Sequence, residues 1–472
     1  MNHRRRALPV LLLSLVAVVA TLLPGVTTAG ADDQDATPVP ATPLLSARRL
    51  PGVLQGATAD PALAADLEPY LDKAAGTQCA VVLDAGRVVY QRDLDKAMVP
   101  ASVLKLLTGT AALEVLGADS RLTTVVGASG PMVDGVVDGD LYLVGGGDPL
   151  LTTPGYEVSL DDPEQVTEDF AALADALVAA GLREVTGGVV GDDSRHETVR
   201  WIPSWPSRYQ SEGFVGPLSA LMVNDGQTGF TTSPETPTTT RRPGDPPLLA
   251  AQTLITLLEQ RGVRVAGGGS TGTAPADLQE VAHLDSLPIA DIVGEMMTSS
   301  DNTTAELLTR EMGLKAKGQG TTEAGLQVIV ETLASLGYDT TGLDLNDGSG
   351  LDPANRVPCR LVVEMLQRTG RDSVLGSHMA VAGQTGTLRM RMTNSEATGR
   401  VQAKTGTLNE VNALAGYADT PSGNAITFLL IQNGLQPSGL SWIDRYAALL
   451  MSYAQGPPLD ALGPLPPLES AP

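Results

Sequence analysis

The sequence predicts an α+β fold in which an antiparallel sheet with helices is split by an inserted mixed α/β lobe. An early hairpin pattern at residues 79–93 and strand-like runs at 400–433 lie on either side of a series of helical patterns. One sheet is therefore expected to draw strands from both ends of the chain. Between residues 123 and 285 glycine, valine and aspartate dominate. This change in character predicts an insertion with its own small core.

Length and composition limit the class of protein. With 472 residues the chain exceeds what one hydrophobic core usually serves, so two or three lobes are expected. Its 42% hydrophobic and 18% charged residues are typical of a globular protein. The formal net charge of -23 argues against nucleic acid and against anionic membrane surfaces as partners.

The N-terminus has the layout of a secretory signal peptide, assigned to residues 1–31. Three arginines, Arg4 to Arg6, precede an apolar run, and Ala29-Gly30-Ala31 fits a small-residue cleavage site. The protein is therefore predicted to be exported. The alternative is an uncleaved anchor, because the apolar run approaches the length that spans a bilayer. In that case the membrane would be contacted only through this segment.

The rest of the chain divides into a main domain, an insertion and two irregular ends. Alanine, threonine and proline predict a flexible tether at the start, and proline and glycine predict a tail at the end. The assigned boundaries are 32–58 for the tether, 59–122 and 286–456 for the discontinuous main domain, 123–285 for the insertion, and 457–472 for the tail.

Local signals mark the first helix and the first hairpin of the main domain. Asp60-Pro61 has an N-cap residue followed by proline at the first helical position. Asp84-Ala85-Gly86 lies between two apolar runs and predicts a hairpin turn.

The chain has two cysteines, Cys79 and Cys359. They predict either one disulfide, formed in an oxidising compartment, or two small buried thiols. The four histidines are scattered, which argues against a zinc site or a Ser-His-Asp triad. No cofactor site is predicted.

The first candidate motif is Ser102-Val103-Leu104-Lys105, at the predicted start of a helix. A spacing of three places Ser102 and Lys105 on the same helix face. A lysine among apolar neighbours can have its pKa lowered enough to act as a base toward the serine hydroxyl. Alone, the motif is equally typical of an N-cap serine followed by a solvated lysine.

Two further motifs follow in the chain. Ser300-Asp301-Asn302 lies between two helical patterns, where the same residue types also serve as ordinary caps. Lys404-Thr405-Gly406-Thr407 lies on a predicted strand, with a cation, two hydroxyls, and a glycine that lets a ligand backbone approach closely. Alone, this motif is compatible with a plain edge strand.

The three motifs together resemble a known family. S-x-x-K, S-D-N and K-T-G are the combined signature of penicillin-binding proteins and class A β-lactamases. The sequence resembles the serine-type D-alanyl-D-alanine carboxypeptidases of the penicillin-binding protein 4 type, the class C low-molecular-mass penicillin-binding proteins. The blocks that carry this resemblance include LVGGGDPLL (143–151), PSRYQSEGFVGPLSALMVNDG (206–226), DGSGLDPANRV (347–357) and AKTGTLNEVNALAGY (403–417).

The resemblance implies a serine β-lactamase/transpeptidase-like domain split by an insertion, and an exported enzyme acting on peptidoglycan stem peptides that end in D-Ala-D-Ala. It implies that β-lactams acylate the same serine. Ser102 would be the nucleophile, Lys105 its base, and Ser300 a proton relay. The substrate would be bound by Asn302, Lys404, Thr405, Gly406 and Thr407, with the backbone N–H groups of Ser102 and Thr407 as the oxyanion hole.

Other functions share these motifs. A β-lactamase would normally place the second motif closer to the first and add a glutamate that activates the deacylating water. A non-catalytic peptidoglycan-binding protein or β-lactam sensor could keep the same fold. An esterase could use the same serine–lysine pair, but it would lack the blocks of the insertion.

The stretch TGTL occurs twice, at 385–388 and at 405–408. The upstream copy has Gln384 in the position of Lys404, so it has no cation to meet a substrate carboxylate. We predict that it forms a turn which lines the site through Arg389 or Arg391, and that the two copies are not duplicate sites.

Overall fold

The computed structural model describes residues 51–156, 160, 164–228, 242–434 and 438–454, with the backbone alone for 51–57 and 242–243. The predicted signal peptide, the tether up to residue 50 and the tail at 457–472 lie outside the described residues.

The described helices are α1 (Pro51–Leu71), α2 (Lys105–Leu116), α3 (Ala171–Ala179), α4 (Arg208–Glu212), α5 (Pro246–Gln260), α6 (Ile289–Ser299), α7 (Asn302–Lys317), α8 (Thr322–Ser335), α9 (Cys359–Thr369), α10 (Val374–Ser377) and α11 (Leu440–Leu450). Short 3₁₀ turns occur at Ala101–Leu104, Asn224–Gly226 and Gly386–Leu388.

The described strands are β1 (Thr77–Asp84), β2 (Arg87–Arg92), β3 (Ala97–Met98), β4 (Thr123–Ala128), β5 (Val136–Val137), β6 (Leu141–Val144), β7 (Leu151–Thr152), β8 (Glu168–Asp169), β9 (Glu184–Val185), β10 (Val189–Asp192), β11 (Gln227–Thr228), β12 (Arg242–Pro243), β13 (Arg264–Val265), β14 (Gly269–Thr271), β15 (Gln279–Asp285), β16 (Val357–Pro358), β17 (Ala380–Val381), β18 (Val401–Leu408), β19 (Val411–Asp419) and β20 (Ala425–Asn433).

The main sheet joins the two ends of the chain. Its strand order is β17-β18-β19-β20-β1-β2, and every neighbouring pair is antiparallel. Ala85 and Gly86, between β1 and β2, both have positive φ, as a two-residue hairpin turn requires. The predicted α+β class, with a sheet drawn from both ends of the chain, is confirmed.

Helices cover both faces of this sheet. Along β20, Phe428 and Leu430 pack into a cluster with α1 and α11, whereas Leu429 and Ile431 pack into a cluster with α2 and α6 to α9. Alternate side chains of a strand point to opposite faces, so a strand buried on both sides is apolar throughout. The helical layer that contains α2 carries the first motif.

A second sheet is built from the middle of the chain. Its order is β14-β10-β6-β4-β15, with parallel pairs at β14-β10-β6 and antiparallel pairs at β6-β4-β15. Its first strand begins at Thr123 and its last ends at Asp285, and these two residues pair with each other. The helices α3 and α5 pack on this sheet in one hydrophobic cluster, which also includes Val137 and Val185 of the small β13-β9-β5 sheet.

The first helix begins earlier than predicted. It starts at Pro51, so residues 51–58 are helical and do not belong to a flexible tether, and Pro61 lies within the helix. The positions that bury against the sheet are Ala59, Leu63, Leu67 and Leu71, whose spacing of four keeps them on one face. Among the described residues, no helix combines the length and the apolar character needed to cross a bilayer.

The two cysteines form a disulfide, which resolves the alternative that the sequence left open. It joins Cys79 on β1 to Cys359 at the start of α9, across a sequence separation of 280, and both residues are fully buried. The bond therefore connects the main sheet to its helical layer.

Removing this disulfide is expected to lower the free energy of unfolding by about 2–5 kcal/mol, because the crosslink restricts the unfolded chain. The measurement is the denaturant midpoint of the wild type and of a Cys79→Ala/Cys359→Ala variant, each with and without reductant. Reductant should lower the midpoint of the wild type and leave that of the variant unchanged. A wild-type midpoint that does not respond to reductant would contradict the expectation.

Candidate active site

Ser102 lies in the 3₁₀ turn that precedes α2. The residue before it, Ala101, has a φ of 47°, a left-handed conformation that is costly for a residue with a Cβ. A Cβ on Gly350 would lie 2.0 Å from the Ala101 carbonyl oxygen, and a Cβ on Gly406 would lie 2.8 Å from that of Pro100. The absence of a side chain on Gly406 thus allows close approach of the protein's own backbone at Pro100. The sequence had predicted that a ligand backbone would approach there.

Lys105 is in contact with residues from three segments. Its Nζ lies 3.1 Å from Ser102 Oγ, 2.6 Å from Asn302 Oδ1 and 2.7 Å from the carbonyl oxygen of Ser349. The side chain is fully buried, so it is not the solvated surface lysine that the motif alone would allow.

Burial lowers the pKa of Lys105 to about 8, because the charged ammonium loses its hydration. The carboxylates of Asp301, Asp347 and Glu306 act in the opposite direction and favour the protonated amine. At pH 7 about one-tenth of the amine is therefore uncharged, far more than for a lysine in water, and the uncharged form is the one that a general base requires.

The second motif combines a helix cap with two site residues. Ser300 ends α6 with a φ of 67°, and Asp301 caps α7 by accepting a hydrogen bond from the Thr303 N–H at 2.9 Å. The next residue, Asn302, accepts a hydrogen bond from Lys105 through its side-chain oxygen. Its Nδ2 donates a hydrogen bond to the Phe214 carbonyl oxygen at 2.6 Å. Asp301 thus makes the cap, whereas Asn302 and Ser300 contact the two lysines.

Lys404, on β18, is also fully buried. Its Nζ donates to Ser300 Oγ at 2.6 Å and to the Thr405 carbonyl oxygen at 3.3 Å. Burial, followed by the nearby charge of Lys105, places the pKa of Lys404 well below its usual value. A carboxylate bound beside this amine would raise the pKa again, since an opposite charge favours the protonated form.

The upstream TGTL copy forms a turn that is part of the site. Thr405 Oγ1 donates a hydrogen bond to Thr387 Oγ1 at 2.9 Å, and Thr387 and Arg389 line the same cavity as Ser102. Arg391 is instead paired with Asp444. Of the two arginines considered from the sequence, Arg389 is the one at the site.

A cavity of about 420 Å³ lies over these residues. Ser102, Ser300 and Asn302 line this cavity. Lys105 and Lys404 are buried behind its surface. One wall comes from the middle of the chain, at Gly213 to Gly216 and at Gln227. The segment between the first two motifs therefore shapes the space available to a ligand.

The edge of β18 beside the cavity is unpaired over part of its length. β17 pairs with Gln402 and Ala403, and no strand of the described chain continues that pairing from Lys404 onward. Thr407 is exposed on this stretch. An extended peptide can add to such an edge through main-chain hydrogen bonds.

The structure brings the three motifs together, and it adds groups that the sequence analysis did not identify. The predicted residues at the site are Ser102, Lys105, Ser300, Asn302, Lys404, Thr405 and Gly406, with Thr407 further along the same strand. The additions are the carbonyl groups of Ser349 and Phe214, and the side chain of Thr387. Backbone carbonyls have no signal in a sequence, although the TGTL repeat marked the segment of Thr387.

An antiparallel sheet covered by helices, with a serine–lysine pair between an S-D-N loop and a K-T-G strand, defines the class of penicillin-recognising serine enzymes. Residues 62–248 and 232–450 match the D-Ala-D-Ala carboxypeptidase 3 (S13) family. The chain belongs to this family. The prediction of a penicillin-sensitive serine D-Ala-D-Ala carboxypeptidase of the penicillin-binding protein 4 type is confirmed.

Similar proteins agree with this assignment. The chain is 32% identical to a D-alanyl-D-alanine carboxypeptidase of Actinomadura sp. (strain R39), over 82% of this chain and 83% of that protein. It is 31% identical to carboxypeptidase DacB of Mycolicibacterium smegmatis, over 79% of each chain. Penicillin-binding protein 4 of Haemophilus influenzae has the same fold, with a TM-score of 0.68 at 20% identity, over 81% of this chain and 97% of that one.

Proposed function

We propose that Ser102 is the nucleophile that cleaves the terminal peptide bond of a peptidoglycan stem peptide, and that Lys105 is the base that accepts the proton of the Ser102 hydroxyl. The observation that supports this most directly is the set of contacts around Lys105 Nζ. The proposal rests on the family and on this geometry together.

The contacts of Lys105 favour its role as a base. A neutral amine has two hydrogens and one lone pair, and Asn302 Oδ1 and the Ser349 carbonyl oxygen can only accept. These two acceptors take the two hydrogens, at 2.6 and 2.7 Å. The lone pair is then left for the hydroxyl hydrogen of Ser102, 3.1 Å away between heavy atoms.

In the proposed reaction, Ser102 Oγ bonds to the substrate carbonyl carbon while its proton passes to Lys105. The bond from that carbon to the leaving amine then breaks, and Ser300 passes a proton to the amine. Water then adds its hydroxyl group to the ester carbonyl carbon and its remaining proton to Ser102 Oγ as the ester bond breaks. The proton held by Lys105 replaces the one that Lys404 supplied through Ser300, which restores the enzyme. The contact between Ser300 Oγ and Lys404 Nζ supplies Ser300 with a proton donor.

The proposed binding groups are those of the third motif and Asn302. Lys404, Thr405 and Thr407 would bind the terminal carboxylate, and the second amide hydrogen of Asn302 would bind the acyl chain. The backbone N–H groups of Ser102 and Thr407 would form the oxyanion hole, in which one donor is worth ~3–4 kcal/mol in other enzymes. The unpaired edge of β18 supports this arrangement, because it leaves main-chain groups available to an extended peptide.

The proposed substrates are stem peptides that end in D-Ala-D-Ala, and the proposed inhibitors are β-lactams, which offer the same carbonyl and carboxylate. We propose that the enzyme acts outside the cytoplasm, in the cell wall. The buried disulfide supports this location, because such bonds persist in oxidising compartments. We also propose residues 123–285 as one inserted lobe, since their sheets share a hydrophobic cluster.

Cleavage of cross-links between stem peptides is a second candidate activity. A second cavity, also of about 420 Å³, adjoins the first at Gln165 and Gly386. It provides space beyond what a single terminal D-alanine needs. An assay with cross-linked dimeric muropeptides would measure this activity.

The experiment that tests the proposed function labels the purified protein with a fluorescent penicillin and assays D-alanine release from a diacyl-D-Ala-D-Ala peptide. The expected result is a stable label together with D-alanine release. A label without release would favour a sensor, and rapid loss of the label would favour a β-lactamase.

Acylation is expected to depend on pH through Lys105. Because the base must be neutral, the first-order acylation rate at saturating penicillin should rise with pH below the pKa of Lys105, by up to about tenfold per pH unit. With a pKa of about 8, it should level off above that value. The measurement is single-turnover labelling from about pH 6 to about pH 9, with circular dichroism at each pH as the control for folding. A rate that does not change with pH would contradict the assignment of Lys105.

A further inference from the structure

A buried carboxylate is linked to the Ser102–Lys105 pair through one intervening residue, Ser349. Glu306, on α7, is fully buried and does not line the cavity. We propose that Glu306 is a positioning residue for Lys105. Glu306 holds Ser349 so that the Ser349 carbonyl group stays in contact with the lysine amine. This inference rests on the proposed role of Lys105 as base.

The contacts run through one residue of the turn at 347–350. Glu306 Oε1 accepts hydrogen bonds from the N–H of Gly348 at 3.0 Å and from the N–H of Ser349 at 2.8 Å. The carbonyl group of the same Ser349 accepts from Lys105 Nζ at 2.7 Å. Glu306 therefore fixes the orientation of the residue whose carbonyl oxygen orders the amine hydrogens.

The part of the turn that begins at Gly350 is held by a different carboxylate. Asp347, also fully buried, accepts from the N–H of Gly350 at 2.8 Å and from that of Asp352 at 2.6 Å. It also accepts from Trp205 Nε1 at 2.8 Å. A change at Glu306 is therefore expected to loosen the half of the turn that faces Lys105 and to leave the other half held.

Gly348, the residue before Ser349 in this turn, is closely packed. A Cβ on Gly348 would lie 2.0 Å from Thr309 Oγ1, and Thr108 Oγ1 donates to the Gly348 carbonyl oxygen at 2.6 Å. The turn is thus packed between α2 and α7. From α7, the Glu306 side chain reaches the N–H groups of Gly348 and Ser349.

Glu306 also acts on Lys105 through its charge. The charged groups that face Lys105 are Asp301, Asp347, Glu306 and Lys404. Burial, followed by the charge of Asp347, raises the pKa of Glu306 to about 7, and Arg310 on the same helix also feels its charge. An ionised Glu306 favours protonated Lys105, so removing that charge should let the amine lose its proton at lower pH.

Two substitutions separate the hydrogen bonds from the charge. Glu306→Gln keeps an oxygen for the two N–H groups and removes the charge, whereas Glu306→Ala removes both. The matched control is Glu311→Gln, because Glu311 is another buried carboxylate of α7 whose partners are Arg195 and His196. The readout is the acylation rate at saturating fluorescent penicillin as a function of pH, normalised to the titrated fraction of active protein.

For Glu306→Gln we expect the pH of half-maximal acylation to fall by on the order of 1 unit, with the plateau rate close to that of the wild type. For Glu306→Ala we expect a plateau at least about tenfold lower, with little change in KM for the peptide substrate. Glu311→Gln should keep the wild-type midpoint.

A plateau rate in folded Glu306→Ala equal to that of the wild type would overturn the inference. A plateau rate in Glu306→Gln at least about tenfold below that of the wild type would also overturn it, because this variant keeps the acceptor oxygen, and this holds even if Glu306→Ala does not fold. The same midpoint shift in Glu311→Gln would also overturn it, since the effect would then not be specific to the turn. Failure of the proposed function is distinguishable, because the wild type itself would then not be acylated or would show no dependence on pH.

Discussion

Replacing Ser102 by alanine is expected to remove covalent labelling by penicillin and to lower kcat for D-alanine release by roughly 10⁴-fold or more. The reason is that no bond can form to the substrate carbonyl carbon without the Ser102 hydroxyl. The measurements are gel fluorescence after labelling and D-alanine release from the diacyl-D-Ala-D-Ala peptide.

The control for this prediction is Ser299→Ala. Ser299 lines the same cavity, but its hydroxyl donates to the Glu295 carbonyl oxygen at 2.9 Å and accepts from the Asp301 N–H at 3.3 Å. It should keep the label and an activity within about tenfold of the wild type. A label that persists in Ser102→Ala would show that another residue is acylated.

Replacing Lys105 by methionine should lower the acylation rate by about 10²- to 10⁴-fold, because Ser102 loses its base. Methionine fills a similar buried volume without an amine. The substitution also leaves Asn302 Oδ1 and the Ser349 carbonyl oxygen without their donor, at a cost of about 1–3 kcal/mol in stability for each.

The acylation rate and the denaturant midpoint must therefore be measured together. Lys317→Met is the control, since Lys317 lies at the end of α7 and pairs with Glu331 on the surface. It should retain the wild-type acylation rate. If folded Lys105→Met is acylated within about tenfold of the wild-type rate, the base is a different group.

Much of the fold could be predicted from local patterns. The hairpin between β1 and β2 and the α+β class follow from residue periodicity and turn chemistry. The start of α1 could not be predicted in this way, because Asp60-Pro61 is a strong start signal and yet Pro61 is accommodated inside the longer helix.

The surroundings of the lysines could not be predicted from local patterns. Two partners of Lys105 lie 197 and 244 residues away along the chain, and one partner of Lys404 lies 104 residues away. No local pattern reports such distances. Phe214 in the cavity wall and Thr387 in the upstream TGTL copy are also brought to the site by the packing of segments that are distant in sequence.

The sequence by itself determined the family and the class of chemistry and predicted the reactive groups, because the three motifs, in their order, specify side chains that a serine acyl-transfer reaction needs. It also assigned each motif to a helix start, a loop or a strand. The tertiary structure alone decided that Lys105 is fully buried between Asn302 and the Ser349 carbonyl group. This environment supports the proposed role of Lys105 as a base toward Ser102, since desolvation favours the neutral amine and the two acceptors order its hydrogens.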